Sequence, residues 1–239
     1  MRYLSSSFAL LLLCSGCIGG SVVQRTYFSL GYPLDRIADR QAPSHDAAIL
    51  VRRFNAELAY DKQEIVYRDS PYAFGYYTYK LWASKPRKML QQLVVSHLRR
   101  SGVVAELREH LVDSAPDFEL EGEIIAIEEV NSTEEQWLAR LAMRFTLRRY
   151  EGRRAVWSWE FDEQRPVPER SPIFVVKTMS EILESQLASA IEDLDARLTE
   201  LEKSPDAPTV PKKPVRGPKT PPAVDPKVPV VEPGSHRVR

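Results

Sequence analysis

The sequence predicts a single α+β domain, in which two main amphipathic helices pack on one face of an antiparallel sheet. Residues 117–161 alternate apolar and charged side chains with the period of two that is typical of half-buried strands. Residues 84–102 and 178–203 instead repeat apolar side chains every three or four positions, as amphipathic helices do. Residues 24–203 are enough for one domain of ordinary size.

The first 17 residues have the order of an export signal. Arg2 precedes an apolar stretch at residues 8–13, which is too short to span a bilayer, and small residues precede Cys17. Ser15-Gly16-Cys17 resembles a bacterial lipobox, so we expect residues 1–16 to be a lipoprotein signal peptide and Cys17 to carry a covalent lipid. Residues 17–23 would then be the lipidated linker. A disulfide or redox pair of Cys14 with Cys17 is the alternative, but cleavage before Cys17 would leave the mature chain a single thiol.

The first half of the chain predicts short strands and then a helix. Apolar and β-branched residues predict strands at residues 27–32, 48–54, 65–67 and 74–82. The period then changes, with apolar side chains at helical spacing at Met89, Leu90, Leu93, Val94, His97 and Leu98. We expect a helix of about four turns, with Ser84 as a possible N-cap, Pro86 in the first turn and Gly102 just past its end.

Two long strands are predicted with a definite register. Phe118, Leu120, Gly122, Ile124 and Ala126 would share one face of the first strand, with Glu119, Glu121 and Glu123 on the other. If Val130 faces Trp137 across the turn, Glu123 opposes Arg144, Glu119 opposes Arg148, and Gly122 lies under the ring of Phe145. Trp157, Trp159 and Phe161 alternate along a third strand, which completes a meander.

A second helix is predicted from Thr178, whose spacing to Glu181 fits a capping box, to about Lys203. Its apolar stripe favours packing on the sheet, with a coiled-coil or partner-groove role as the alternative. Residues 204–239 differ in kind, because they contain ten of the 18 prolines and no Leu, Ile, Met or aromatic residue. We expect a disordered Pro- and Lys-rich tail, either inert or docking on an envelope component.

Charge and motifs exclude several function classes. Residues 17–203 carry 25 basic and 30 acidic side chains, which argues against nucleic acid binding, whereas the tail carries seven basic and three acidic ones. No hydrolase elbow, nucleotide-binding loop or zinc spacing occurs, and His45, His97, His110 and His236 lie in unrelated contexts. We therefore expect neither an enzyme nor a metal or other cofactor besides the lipid on Cys17.

The carboxylates that could serve glycoside hydrolysis are Glu119, Glu121, Glu123, Glu128 and Glu129. The register instead places Glu119 and Glu123 opposite arginines on a solvated sheet surface.

Aromatic residues are concentrated in one segment. Eight of the 22 aromatic side chains lie between Tyr60 and Trp82. Because neighbouring side chains on a strand point to opposite faces, Tyr76 and Tyr77 cannot both lie in the core, and at least one ring should face outward. Such rings supply contact area for a partner or an acyl chain, or the segment covers its own hydrophobic cluster.

The order of these features resembles one family. The features are the lipobox and the segments Tyr27-Phe28-Ser29-Leu30, Val51-Arg52-Arg53-Phe54, Ile65-Val66-Tyr67-Arg68, Leu81-Trp82-Ala83, Met89-Leu90 and Phe118-Glu119-Leu120-Glu121-Gly122-Glu123-Ile124. Together they resemble the ABC-type transport auxiliary lipoproteins, a family that includes paraquat-inducible protein C. The resemblance covers residues 24–203 and does not include the tail. It offers no catalytic residues.

The resemblance implies a non-enzymatic outer-membrane lipoprotein that faces the periplasm. It implies work beside a mammalian-cell-entry-type lipid transport protein and its ABC transporter, and it leaves a homo-oligomer possible. Ile18, where enteric bacteria place an acidic retention signal, also favours the outer membrane. We expect the partner to contact Tyr76, Tyr77 and Trp82. The alternative function is a structural envelope scaffold or motility-complex lipoprotein that grips the cell wall or partners through its basic tail.

Overall fold

The computed structural model describes residues 23–37, 40, 42–111, 114–131, 137–204 and 215–216. The strands are β1 (Thr26–Phe28), β2 (His45–Val51), β3 (Asn55–Ala56), β4 (Glu64–Ser70), β5 (Ala73–Trp82), β6 (Val104–Arg108), β7 (Phe118–Val130), β8 (Leu138–Arg149), β9 (Ala155–Pro166) and β10 (Val215–Arg216). The α-helices are α1 (Pro86–Ser101) and α2 (Pro172–Lys203), and two short 3-10 helices span Leu34–Arg36 and Glu151–Arg153. The predicted α+β class is confirmed. β10, which consists of two residues of the tail, pairs in parallel with β9.

The predicted register of the two long strands is confirmed over their first half. Glu119 lies opposite Arg148, Gly122 opposite Phe145 and Glu123 opposite Arg144 in the antiparallel β7–β8 pair. A bulge at Ile125 then shifts the pairing by one residue, so that Val130 opposes Leu138 rather than Trp137. The bulge also turns Ala126 onto the charged face, where it pairs with Ala142, and this corrects the prediction that Ala126 shares the core face.

The other edge of β7 is paired in parallel. β2, β3 and β4 meet it in succession, at Phe118–Leu120, Glu123–Ile124 and Glu128–Val130 respectively. β2 also pairs in parallel with β6, and β4 pairs antiparallel with β5. The sheet is therefore mixed, which corrects the prediction of an antiparallel one. Alternation along a strand specifies its two faces but not the direction of its neighbours.

Both helices pack on the same face of the sheet, as predicted. A small apolar cavity is lined by Val94 and Leu98 of α1, Leu187 and Leu194 of α2, and Phe145 of β8. α1 begins at Pro86 and ends at Ser101. Gly102 follows it, and its φ of 62° is the left-handed C-cap conformation that glycine adopts without strain. The predicted cap is wrong, however, because Lys85 and not Ser84 occupies the N-cap position.

α2 begins earlier than the sequence predicts. It starts at Pro172, with Ser171 as its N-cap, and runs for 32 residues to Lys203. Thr178 is buried within the helix, so the capping box at Thr178 and Glu181 is wrong. The extra turns bury Val175 and Val176 against the core, and this burial extends the helix beyond the local cap signal.

A buried histidine ties α2 to the start of β2. The ring nitrogens of His45, which is 4% exposed, lie 2.7 Å from Glu202 Oε1 and 2.8 Å from Asp195 Oδ1. Burial alone would lower the pKa of His45, but the hydrogen bonds and charges of these two carboxylates outweigh it and raise the pKa above its ordinary value. Arg40 shares Asp195 at 2.9 Å.

The two buried histidines should make stability depend on pH in opposite directions. The folded chain holds a proton on His45 more tightly than the unfolded chain does, so this contribution is lost as pH rises above about 6.5. Burial lowers the pKa of His97 to about 4, so its contribution is lost as pH falls from about 6.5 towards that value. Urea unfolding between pH 4 and 9 should show the free energy of unfolding changing by at most about 1.4 kcal/mol per pH unit from each. His45→Gln should flatten only the alkaline side and His97→Gln only the acidic side, and unchanged slopes would contradict the assignment.

Candidate functional site

Three exposed aromatic residues, Tyr72, Phe74 and Tyr79, lie on one hairpin, formed by β4 and β5 and hereafter called the aromatic hairpin (residues 64–82). Arg68 opposes Phe74 and Val66 opposes Tyr76, but Glu64 opposes Leu81. The chain from Tyr76 to Leu81 is therefore longer than its counterpart on β4, and it bulges out of the ladder. The Ser70 hydroxyl accepts hydrogen bonds from the amides of Tyr72 and Ala73 and so shapes the tip.

The structure places the three predicted contact residues differently. Trp82 is 1% exposed, so its ring belongs to the core and offers no surface to a partner, which corrects that part of the prediction. Tyr77 is half-buried, and its hydroxyl donates to Glu129 Oε1 at 2.8 Å. Burial and this hydrogen bond raise the pKa of Tyr77, so the hydroxyl keeps its proton. Tyr76 is half-buried, with the Lys62 ammonium 4.1 Å from its ring centre.

Other rings of the hairpin are more exposed than the predicted ones. Tyr72 at the tip is 98% exposed, and Phe74 and Tyr79 are each 45% exposed. Phe74 contacts the edge of Tyr76, with ring centres 5.8 Å apart, and the Arg68 guanidinium lies 5.4 Å from its ring centre. Pro71-Tyr72 between two strand patterns is the signal from which the sequence could have identified Tyr72 as a turn residue.

The outer edge of β5 is largely free. β1 pairs with β5 only at Lys80–Trp82. Within the residues that the structure describes, no strand pairs with the outer edge at residues 73–79. Backbone N–H and C=O groups on a free edge can accept an added strand from another chain. The hairpin thus combines exposed rings with an open edge.

The five carboxylates that the sequence singled out are held by other side chains. Glu123 lies 2.7 Å from Arg144, and Glu121 lies 3.1 Å from Arg148. Glu119 is 1% exposed and Glu128 is fully buried, so the charged face is covered at these two points, which corrects its prediction as a solvated surface. Glu128 accepts hydrogen bonds from Arg68, Arg140 and Tyr60, and Glu129 from Tyr77 and Asn131.

Some predictions concern residues outside the described part of the chain, and others concern metal sites and membrane-spanning helices. Cys17 and the signal peptide lie outside the described residues, as does the tail apart from Ser204 and β10. In the part of the chain that the structure describes, no three side chains of His, Cys, Asp or Glu converge as metal ligands would. Neither described helix has an apolar stretch of the kind that crosses a membrane.

Comparisons with known proteins give a family and a fold. The family described as ABC-type transport auxiliary lipoprotein component matches residues 32–192. A crystal structure of protein XCC0632 from Xanthomonas campestris superposes with a TM-score of 0.65 and 19% identity, covering 75% of this chain and all of that one. An uncharacterized protein of known structure superposes with a TM-score of 0.56 and 11% identity, covering 72% of this chain and 99% of its own.

At these identities the two structures show a shared fold alone, and no curated protein matches the chain. The family match covers well over half of the sequence and includes α1, the meander and most of α2. The chain therefore belongs to the family of ABC-type transport auxiliary lipoprotein components.

Proposed function

We propose that this protein is a non-enzymatic accessory subunit of an ABC-type lipid transport system with a mammalian-cell-entry-type protein, and that it docks the periplasmic conduit of that system to the outer membrane. The family match over residues 32–192 is the observation that carries the proposal. A family of transport auxiliary components associates with a transporter rather than performing its chemistry. The ion pairs of Glu119, Glu121, Glu123 and Glu128 and the hydrogen bonds of Glu129 are consistent with a structural role for these carboxylates.

The anchor in this proposal is a lipid on Cys17. The lipobox-like Ser15-Gly16-Cys17 supports it, and Ile18 favours sorting to the outer membrane. Several acyl chains would hold the chain stably, because each buried methylene contributes about 0.8 kcal/mol. Anchoring also raises the local concentration of the folded domain at the membrane, so that modest contacts suffice for docking.

The docking surface in this proposal is the aromatic hairpin. Tyr72, Phe74 and Tyr79 expose ring surface beside the open edge of β5. We expect the transport partner to add an extended segment along this edge and to cover the rings, since main-chain bonds supply affinity and side-chain contacts supply specificity. Tyr76 and Tyr77 lie on the same strand and keep the contact role that the sequence suggested, whereas Trp82 supports the strand from the core.

Co-purification from bacterial membranes tests the anchor and the docking surface separately. Tyr72→Ser with Phe74→Ser should lower the recovered transport partner by at least about tenfold while the protein stays in the membrane fraction. Cys17→Ser should instead abolish palmitate incorporation and release the protein from the membrane fraction.

The matched control replaces two exposed apolar side chains elsewhere. Leu58 is 89% exposed and Ile173 is 62% exposed, and neither belongs to the hairpin. Leu58→Ser with Ile173→Ser should leave recovery of the partner unchanged. Equal recovery with the hairpin and control variants would refute the hairpin as the docking surface, and a Cys17→Ser protein that stays fully membrane-bound and active would refute the anchor.

A further inference from the structure

An open groove lies between α1 and the segment that joins β2 to β3, hereafter called the basic groove. Its volume is about 1000 Å³, the upper end of the range for small-molecule sites. Its lining includes a set of basic side chains: Arg52, Arg53, Lys85, Arg87, Lys88 and Arg153. This concentration of positive charge is notable because residues 17–203 as a whole have an excess of acidic side chains.

The groove is lined by a cation from the β2–β3 segment and a cation from α1. The backbone N–H of Phe54 donates to Gln91 Oε1 of α1 at 3.1 Å, which fixes the β2–β3 segment against the helix. Arg53 precedes Phe54, and Lys88 lies one helical turn before Gln91. Both are exposed, and neither makes an ion pair with any described residue.

The carboxylates near the groove are already engaged. Glu121 lies 3.1 Å from Arg148, and Glu109 lies 3.7 Å from Arg99. Asp61 is shared between Lys85 at 3.7 Å and Arg87 at 3.3 Å. Arg52 and Arg153 likewise share Glu119, at 3.6 Å and 3.2 Å. Arg53 and Lys88 therefore remain without an ion pair among the described residues, and the other four cations share their carboxylates.

The start of α1 adds to the positive potential. The amino end of a helix carries a partial positive charge that ordinarily favours acidic residues in the first turn. α1 has no acidic residue there, and Arg87 and Lys88 occupy that turn instead. The positive side chains and the positive helix end repel one another in the empty groove, and both attract an anion that binds there. Leu111, which is 56% exposed, gives the groove an apolar wall as well.

We propose that the basic groove binds the phosphate-bearing headgroup of an anionic lipid, with Arg53 and Lys88 contacting the phosphate and Leu111 contacting the apolar part beyond it. The inference rests on the proposed function, since it names the class of ligand that such a subunit would meet at the membrane. An inorganic phosphate satisfies the cations equally well but leaves most of the groove and Leu111 without a contact.

Vesicle flotation tests the proposal. The mature chain with Cys17→Ser, which has no acyl anchor, is mixed with phosphatidylcholine vesicles that contain or lack phosphatidylglycerol. We expect association with the anionic vesicles, and we expect Arg53→Glu with Lys88→Glu to weaken it by at least about tenfold. The basic tail is present in every variant, so its contribution cancels in the comparison.

The control variant is Arg36→Glu with Arg170→Glu, which changes the net charge equally at two exposed positions outside the groove. It should weaken association less than about twofold, because screened charges away from the binding site contribute little. Equal weakening by the two variants would show nonspecific attraction and refute the groove. Calorimetry with inorganic phosphate and with glycerol phosphate completes the test, since inorganic phosphate binding as tightly as anionic vesicles would refute the lipid assignment.

The outcome is separable from that of the docking experiment. If the hairpin variant recovers the partner normally and the variant with Arg53→Glu and Lys88→Glu loses vesicle binding, the groove is supported as a lipid site. The hairpin is then refuted as the docking surface. Normal vesicle binding by the groove variant, with partner recovery dependent on the hairpin, would do the reverse.

Discussion

Replacing Glu128 with Ala is expected to lower the free energy of unfolding by about 3 to 5 kcal/mol, because it leaves the largely buried guanidinium of Arg68 without its counter-charge, whereas Arg140 keeps Asp162 at 2.7 Å. Glu128 is fully buried, and Arg68 Nε and Arg140 Nη1 lie 2.9 Å and 2.8 Å from its carboxylate. The two arginine side chains are themselves only 21% and 23% exposed. A guanidinium cannot be deprotonated under the conditions of a folded protein, so Arg68 stays charged when the carboxylate is removed. Urea unfolding monitored by circular dichroism measures the loss.

Glu123 provides a matched control on the same face of the same strand. Its ion pair with Arg144 is also short, at 2.7 Å, but the two side chains are 44% and 43% exposed. Glu123→Ala should therefore cost no more than about 1 kcal/mol, since exposed ion pairs contribute little. Equal losses for the Glu123 and Glu128 variants would mean that burial does not set the strength of this network.

Replacing Phe54 with Ala is the second large effect we expect, also about 3 to 5 kcal/mol of unfolding free energy. Phe54 is fully buried, and its ring centre lies 6.1 Å from that of Phe145. Three ring carbons of Phe54 lie 2.6 Å from where a Cβ of Gly122 would stand. Removal of the ring empties a space that Gly122 leaves open for it, and the core cannot close over it. Thermal or urea unfolding measures the change.

The Gly122→Ala variant identifies the contact specifically. In the natural background the added methyl group clashes with the ring of Phe54 and should cost about 1 to 3 kcal/mol. In the Phe54→Ala background the same substitution should be close to neutral, because the obstruction is gone. Gly31→Ala is the control, since no atom lies within 4 Å of the Cβ that it would add. Additive effects of the Gly122 and Phe54 substitutions would refute this packing.

The elements that the sequence predicted best are those with their own local period. The alternation of Glu119, Gly122 and Glu123 against Arg144 and Arg148 fixed the register of β7 and β8, and the structure confirms it up to Ile125. The bulge at Ile125 has no signal in the alternation, because the apolar residues around it fit either face. The predicted start of α2 is wrong for a related reason, since a capping-box spacing can occur inside a helix that tertiary packing extends.

Gly122 shows the difference between pairing and packing. Its predicted partner across the ladder is Phe145, and the register bears this out. The ring that lies over it is nevertheless that of Phe54, which reaches it from the β2–β3 segment. Period and register specify neighbours within the sheet, but the side chain that fills a gap above it comes from whichever distant segment the fold brings there.

The candidate site was predicted only in part. The concentration of aromatic residues between Tyr60 and Trp82 located the hairpin, and exposed rings are present there as expected. The Pro71-Tyr72 turn signal could have identified Tyr72, but the exposure of the rings along β5 was not predictable, because the bulge between Tyr76 and Leu81 breaks the alternation. The basic groove had no sequence signal, since Arg53 and Lys88 come from segments that meet only in the folded chain.

The sequence by itself determined the α+β class, the two helices, the register of the central strand pair and the family, because each depends on patterns within short stretches of chain. The tertiary structure alone decided that β7 is paired in parallel on its second edge, that Glu128 is buried between two arginines, and that Trp82 lies in the core. These features arise from contacts between residues far apart in the chain. Their free energies depend on burial and on charge partners, which local periodicity does not encode.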